Sequence, residues 1–154
     1  MKNVLITTLP FGKTDKTSIN LLKKNNINYY YNPKNKKFSR NELLKIIGNY
    51  HGIICGTDKI DRAVINKAKK LKIISRVGVG LNNLDLKSLK KSKIKVTYTP
   101  GAPTQTVAEY TIGLMIYLLR RINVSRKSLE KGKWLKIFGK NLNEAKIGII
   151  GLGR

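Results

Sequence analysis

The stretch Leu71-Lys-Ile-Ile-Ser-Arg-Val-Gly-Val-Gly80 joins a short apolar run to a pair of glycines, and it decides the fold class. The run Leu71–Ser75 is typical of a strand in a parallel sheet. A glycine-rich turn directly after such a strand is a position that α/β proteins use for ligands. The stretch therefore predicts an α/β fold with a turn suited to binding at the end of one strand.

Strand-like and helix-like segments alternate on both sides of this stretch. The other strand candidates are Asn3–Thr8, Ile27–Tyr31, Gly52–Cys55 and Ile94–Tyr98, and the helix candidates are Lys16–Asn25, Arg40–Ile47, Asp61–Lys70 and Leu86–Ser92. Such alternation is the pattern of a doubly wound parallel sheet covered by helices. We expect one domain over residues 1–99 and a second over residues 100–154.

The glycines Gly78 and Gly80 are expected to take positive φ and to turn successive backbone N–H groups toward one point. A turn of that kind suits a carboxylate or a phosphate. The alternative is a tight strand-to-helix turn that binds nothing, and the local pattern leaves both open.

The segment Val107–Ile122 is apolar on nearly every face, which predicts a helix buried on more than one side. Thr106 and Glu109 have the spacing of a capping box at its start. Glu109 as a catalytic carboxylate is the alternative, but capping assumes less. Arg120 and Arg121 close the helix, where cations interact favourably with its dipole. A short helix and a polar loop around Trp134 are expected within Ser125–Glu144.

The last residues, Lys146-Ile-Gly-Ile-Ile-Gly-Leu-Gly-Arg154, read as a strand over Lys146–Ile150 that runs into Gly151 and Gly153. A Gly-x-Gly turn after a strand opens dinucleotide-binding folds, where a third glycine, a helix N-terminus and an acidic residue follow. Those later features are not among the 154 residues.

The cysteine count, the length of the apolar stretches and the net charge exclude further classes of protein. A single cysteine, Cys55, excludes an internal disulfide, and no metal site is expected. With a single cysteine, a reducing cytoplasm is the expected location. The longest apolar stretch, Val107 to Leu119, is too short to cross a bilayer, so no membrane partner is expected. The net charge of +24 comes mainly from 25 scattered lysines, which favours a solvated surface over the alternative, nucleic-acid binding.

Three motifs in order resemble the D-isomer-specific 2-hydroxyacid dehydrogenases, and within them the phosphoglycerate dehydrogenase-like branch. They are Arg76-Val-Gly-Val-Gly-Leu-Asn-Asn-Leu-Asp85, Tyr98-Thr-Pro-Gly-Ala-Pro-Thr-Gln-Thr-Val-Ala-Glu109 and Ile147-Gly-Ile-Ile-Gly-Leu-Gly-Arg154. The resemblance implies a flavodoxin-like substrate domain, then an interdomain helix and the beginning of a Rossmann NAD-binding domain. It also implies NAD as cofactor, a small anionic 2-hydroxy or 2-oxo acid as substrate, and a homo-oligomer.

The resemblance also implies roles for single residues. Arg76, Gly78, Val79 and Gly80 are expected to bind the acid, with backbone amides toward its carboxylate. The expected cofactor contacts are Val79, Thr106, Val107, Gly151, Gly153 and Arg154.

Several features depart from the family pattern. Asn82 replaces an aspartate that supports the turn, and the segment Cys55-Gly56-Thr57 offers no cation where an arginine is common. The family's catalytic Arg, Glu and His lie downstream of the dinucleotide motif, so no catalytic residue is expected in this chain. His51, the one histidine, precedes a strand on the far side from the glycines. We therefore expect the N-terminal part of a dehydrogenase that is inactive alone, with a stand-alone anion-binding or regulatory module as the alternative.

Overall fold

The computed structural model describes residues 1–151 and 153. Five strands and six α-helices form within these residues. In chain order they are β1 (Lys2–Ile6), α1 (Thr17–Lys24), β2 (Ile27–Tyr31), α2 (Arg40–Ile46), β3 (Gly52–Cys55), α3 (Arg62–Lys67), β4 (Ile73–Arg76), α4 (Leu86–Lys91), β5 (Lys95–Tyr98), α5 (Thr104–Leu119) and α6 (Ile122–Glu130). Short 3₁₀ turns cover Ile47–Asn49 and Leu142–Glu144.

The strands form one parallel sheet in the order β2-β1-β3-β4-β5. This is the flavodoxin-like order, and the α/β prediction is confirmed. Because all strands run the same way, the loops that follow them lie along one edge, called here the carboxyl edge. Cys55 lies opposite Arg76, and Arg76 lies opposite Tyr98 at that edge. Proteins with such folds bind their ligands at this edge, so we expect the functional site of this chain to lie there.

The core of the sheet lies under three helices. Leu43 of α2, Val64 of α3 and Leu89 of α4 are buried in one apolar cluster with Ile53 and Ile74 of the central strands. Since β-α-β crossovers are right-handed, α1 lies on the opposite face of the sheet. Burial of these helices fixes the strand ends, and thereby the loops of the carboxyl edge.

The chain divides into two compact units, Met1–Pro100 and Gly101–Arg154. The second begins with α5, which starts at Thr104 and not at Val107. The predicted capping box is wrong because Thr106 is already inside the first helical turn. Pro103 precedes the helix, and its carbonyl accepts the first helical bond from the Val107 amide. The Glu109 carboxylate instead accepts a hydrogen bond from Gln105, at 2.7 Å.

Two other expectations for the second unit differ from the structure. Residues 146–150 form no strand, because a strand needs a neighbour for its N–H and C=O groups and none pairs with them in the described residues. None of the residues of α5 is buried, although burial on more than one side was expected. Trp134 does lie in an irregular segment after α6, and it is exposed. None of the helices in residues 1–151 and 153 is long and apolar enough to cross a membrane.

Candidate anion-binding site

The loop that follows β4 is held from both sides at the carboxyl edge. The Val77 amide donates to the Cys55 carbonyl at 2.8 Å, which extends the pairing with β3 by one residue. The Gly78 amide donates to the Thr99 hydroxyl at 2.8 Å, and the Thr99 amide donates to the Gly78 carbonyl at 3.1 Å. Within the described residues, the amides of Val79 and Gly80 donate to no protein acceptor. The loop therefore presents a run of N–H groups without a protein acceptor, and this run begins with Val79 and Gly80.

Only one of the two glycines has the unusual backbone conformation that the sequence predicted. Gly78 has φ of +137°, a region that residues with a side chain rarely adopt. Gly80 is not among the residues with positive φ, and a methyl group there would meet open space. The expectation of positive φ is thus wrong for Gly80. Of the two glycines, only Gly78 has the backbone conformation of the turn that precedes the free amides.

Arg76 places a positive charge against this loop. Its Nη1 donates to the Val77 carbonyl, and a methyl group on Gly78 would overlap the guanidinium. The Arg76 Nε is buried and has no acceptor among the described residues. A guanidinium and free backbone amides in one loop are the kinds of donor that a carboxylate or phosphate accepts from. Arg76, Gly78, Val79 and Gly80 lie in this one loop, and their role in binding the acid stays a prediction.

A second group of polar residues supports the loop from β3. The Asn83 side-chain amide donates to the Gly56 carbonyl at 3.2 Å and to the Asp58 carbonyl at 2.7 Å. The Asp58 carboxylate accepts from the Thr7 hydroxyl at 2.6 Å and from the Gly56 amide at 3.2 Å. These bonds join the ends of β1 and β3 to the turn after Gly80. Sequence reasoning missed this network and looked to Asn82, which is exposed.

Cys55 lies at the end of β3 and is fully buried. Burial, followed by the nearby Asp58 carboxylate, raises the pKa of its thiol to about 12, while Arg76 acts in the opposite direction. The side chain therefore stays a neutral thiol near pH 7. Since the thiolate is the reactive form, Cys55 packs in the site and is not a nucleophile.

A lysine from another loop reaches the segment that follows Cys55. The residues Cys55, Gly56 and Thr57 supply no cation themselves, as their sequence predicted. The Lys37 ammonium, in the loop between β2 and α2, donates to the Thr57 hydroxyl at 2.5 Å. The Lys37 ammonium therefore supplies a positive charge beside this segment. The sequence did not indicate this contact, because the two residues are distant in the chain and meet only at the carboxyl edge.

His51 lies at the opposite edge of the sheet, just before β3. Its Nδ1 accepts a hydrogen bond from the Asn3 amide at 3.1 Å, so one ring nitrogen is occupied by the backbone of β1. General acid–base catalysis needs hydrogen-bond reach of the substrate, and the fold places His51 at the other end of its strand. His51 is a structural residue.

The residues expected to contact a dinucleotide belong to the second unit, apart from Val79. Thr106 and Val107 are exposed in the first turn of α5. Gly151 has φ of +95° and Gly153 is exposed, but neither strand nor helix surrounds them in the described residues; Arg154 lies outside those residues. A pyrophosphate site needs a helix N-terminus after the glycine turn. No helix follows Gly151 within the described residues, and these residues hold no cluster of three His, Cys, Asp or Glu side chains placed for a metal.

The sequence matches one protein family over most of its length. Residues 4–145 match the D-isomer specific 2-hydroxyacid dehydrogenase catalytic domain. The chain is 41% identical over 123 residues to glyoxylate reductase of Thermofilum pendens, covering 75% of this chain and 36% of that protein. It is 40% identical over 119 residues to D-3-phosphoglycerate dehydrogenase of Archaeoglobus fulgidus, covering 75% of this chain and 23% of that protein. The chain thus spans well under half the length of these relatives.

Solved structures share the fold. The TT0316 protein of Thermus thermophilus matches 91% of this chain and 43% of its own, with a TM-score of 0.75 and 28% identity. NAD⁺-bound 3-phosphoglycerate dehydrogenase of Entamoeba histolytica matches 92% of this chain and 43% of its own, with a TM-score of 0.73 and 28% identity.

Proposed function

Since the chain belongs to the D-isomer specific 2-hydroxyacid dehydrogenase family, we propose that it is the acid-binding part of an NAD-dependent oxidoreductase of a D-2-hydroxy acid. The observation that carries this proposal is the loop after β4, in which the amides of Val79 and Gly80 are free and the Arg76 guanidinium lies against the preceding residue, Gly78. Members of this family bind NAD and act on small acids of this class.

The chemistry of the loop fits the common part of these substrates. Every 2-hydroxy or 2-oxo acid carries a carboxylate, whose two oxygens can accept from two adjacent N–H groups. The Arg76 guanidinium adds a positive charge and planar N–H donors that match a carboxylate. The loop therefore holds the carboxylate and sets the position of the neighbouring carbon, which is the carbon that is oxidised or reduced.

Proton and hydride transfer need groups that the described residues do not bring to this loop. The single histidine lies at the other edge of the sheet, and no helix follows Gly151 within the described residues. We propose that this chain corresponds to the N-terminal portion of the complete enzyme. Alone it binds the acid, binds NAD weakly if at all, and does not turn over.

Complementation tests this proposal. The chain is joined at its last residue to the remaining C-terminal part of the Thermofilum pendens glyoxylate reductase, and NADH oxidation is followed with glyoxylate or hydroxypyruvate. We expect turnover in the joined protein and none in the chain alone. A joined protein that folds and binds NADH but reduces neither acid would contradict the proposed function.

The alternative is a stand-alone anion-binding or regulatory module. One observation favours it: the acid-binding loop is complete within Met1–Pro100, whereas the dinucleotide segment is not formed. The same joined protein discriminates the two functions, because a module that only binds would retain acid binding and show no turnover.

A further inference from the structure

We propose that Asn83 is a positioning residue for acid binding, because its side-chain amide fixes the far end of the acid-binding loop and so holds the free amides of Val79 and Gly80 in place for the carboxylate. The acid-binding loop comprises residues 77–83, which follow β4. This inference rests on the proposed function, since it concerns the same loop and the same substrate.

The two ends of the acid-binding loop are fixed by different groups. Near its start, the Gly78 amide donates to the Thr99 hydroxyl at 2.8 Å. At its end, the Asn83 side-chain amide donates to the Gly56 carbonyl at 3.2 Å and to the Asp58 carbonyl at 2.7 Å. The free amides lie between these two fixed ends, so the position of Asn83 helps to set the position of the amides.

The chemistry of the Asn83 side chain suits it to this contact. A primary amide has two N–H donors, and the two bonds of Asn83 use both of them. Gly56 and Asp58 are two residues apart, so one side chain holds a whole turn. An ionised aspartate has the same shape but only accepts hydrogen bonds. The substitution Asn83→Asp therefore removes both bonds and sets a negative charge against two carbonyl oxygens.

The turn that Asn83 binds is itself anchored by buried residues. The Asp58 carboxylate accepts from the Gly56 amide at 3.2 Å and from the hydroxyl of Thr7, which is buried directly after β1. The amide of Ile60, also buried, donates to the Asn83 backbone carbonyl at 2.9 Å. Asn83 therefore ties the acid-binding loop to a turn whose position is set by the core of the sheet.

The neighbouring residue, Asn82, provides a matched control. It is the same residue type one position earlier in the loop, but its side chain is exposed. Asn82→Asp and Asn83→Asp add the same negative charge to adjacent positions. The added charge alone would therefore weaken binding of an anion to a similar extent in both variants, and any further loss in Asn83→Asp measures the positioning role.

The test measures the dissociation constant of D-lactate in the complete 154-residue chain from the backbone amide NMR shifts of Val79 and Gly80. The native chain is compared with Asn83→Asp, Asn82→Asp and Ser39→Ala. The last variant removes the hydroxyl that caps α2, so it lowers stability outside the acid-binding loop. Heteronuclear ¹H–¹⁵N NOE values of the two amides, recorded without acid, report how mobile the loop is.

We expect Asn83→Asp to bind D-lactate about tenfold more weakly than Asn82→Asp, because ordering the backbone of about one more residue on binding costs that much. The NOE values of Val79 and Gly80 should fall in Asn83→Asp and stay at the native level in Asn82→Asp. Ser39→Ala should keep the native dissociation constant although it is less stable. If Asn83→Asp does not fold, the uncharged pair Asn83→Ser and Asn82→Ser replaces the aspartate pair, with the same order of affinities expected.

Equal dissociation constants in the position-82 and position-83 variants, or an equal weakening of binding by Ser39→Ala, would overturn this inference, while binding of D-lactate to the native chain still supports the proposed function. If D-lactate shifts neither the Val79 nor the Gly80 amide of the native chain, the proposed function fails, and the role of Asn83 fails with it.

Discussion

Gly78 carries the strictest backbone requirement in the acid-binding loop. Its φ of +137° is one that residues with a side chain rarely adopt, so a β-carbon there is strained whatever space surrounds it. Gly80, two residues later, has neither positive φ nor a neighbour within 4 Å of an added methyl group. The pair therefore offers a matched comparison within one loop.

Gly78→Ala is expected to lower the free energy of unfolding by about 1–3 kcal/mol, the usual range for a residue forced into such a conformation. Gly80→Ala should change it by less than about 0.5 kcal/mol. Urea denaturation measures both. A Gly80→Ala variant as unstable as Gly78→Ala would show that the loop conformation is different from the one described.

Cys55 provides a second prediction at this scale. Because burial raises the pKa of its thiol to about 12, alkylation by iodoacetamide should be very slow at pH 8 in the folded chain and fast in 6 M guanidinium. Mass spectrometry follows the modification. Equal alkylation rates in the folded and the denatured chain would show that Cys55 is exposed at the surface, which would contradict its buried position at the end of β3.

Local patterns in the sequence indicated the loop after β4 as a candidate site but not the residues that support it. Arg76 and Gly78 are close together in the chain, and a strand followed by Gly-x-Gly marks such a loop directly. Thr7, Asp58 and Asn83 meet only because β1, β3 and β4 end at one edge. Contacts between residues 25 to 51 positions apart leave no local signal.

At the scale of elements, two segments have the spacing of a capping box, but only one of them caps a helix. At α2 the Glu42 amide donates to the Ser39 hydroxyl at 3.2 Å, and the Ser39 amide donates to the Glu42 carboxylate at 2.8 Å. Thr106 and Glu109 have the same spacing but form no cap, because Pro103 starts α5 earlier. Spacing alone could not show this difference.

Ser39→Ala is therefore expected to destabilise the chain by about 1 kcal/mol, the typical cost of losing a helix cap. Thr106→Ala should cost less than about 0.5 kcal/mol or be slightly stabilising, because alanine is the better residue inside a helix. Chemical denaturation of the two variants tests this. A larger loss for Thr106→Ala would restore the capping role that the sequence suggested.

The caps of α3 and α4 predict how stability depends on pH. The hydrogen bond from Arg40, then that from the Val64 amide, lowers the pKa of Asp61; hydrogen bonds from Ser88 lower the pKa of Asp85. Carboxyls with a lowered folded-state pKa stabilise the fold at pH values above their unfolded pKa and lose that contribution as pH falls through the folded pKa. We expect the melting temperature to be level between about pH 7 and 5 and to fall below about pH 4.

The double variant Asp61→Asn and Asp85→Asn isolates this effect, since asparagine also caps helices but does not titrate in this range. Its melting temperature should fall less between pH 5 and 3 than that of the native chain. An unchanged fall would assign the acid sensitivity to other groups.

The strands show the limit of prediction at this scale. The short apolar runs predicted the five strands of the sheet correctly. Each run forms a strand because the helix between two runs returns the chain, so that the next run can pair with a parallel neighbour. Residues 146–150 have the same apolar composition, yet form no strand among the described residues. A pattern shows that a segment can pair; the presence of neighbouring strands decides whether it does.

At the scale of the whole molecule, the buried apolar residues all lie in the first unit. Among residues 1–151 and 153 they run from Leu5 to Ile94, whereas none of the residues of α5 is buried and most of its apolar side chains are exposed. The first unit therefore has a core of its own, and the second carries an apolar surface of the kind that associates with other chains.

Removing residues 101–154 is accordingly expected to leave a cooperative thermal transition and to reduce self-association in analytical ultracentrifugation. A shorter deletion, residues 142–154, should keep the transition as well. Loss of cooperative unfolding in the 1–100 chain would contradict the independence of the first unit.

We propose that the loop after β4 binds the carboxylate of a 2-hydroxy acid, and titration of the ¹⁵N-labelled chain with D-lactate, which carries a single carboxylate, measures this binding. The amides of Val79 and Gly80 are expected to show the largest, saturable shifts, while those around His51 at the opposite edge stay unchanged. Shifts that are absent from Val79 and Gly80, or spread evenly over the lysine-rich surface, would contradict it.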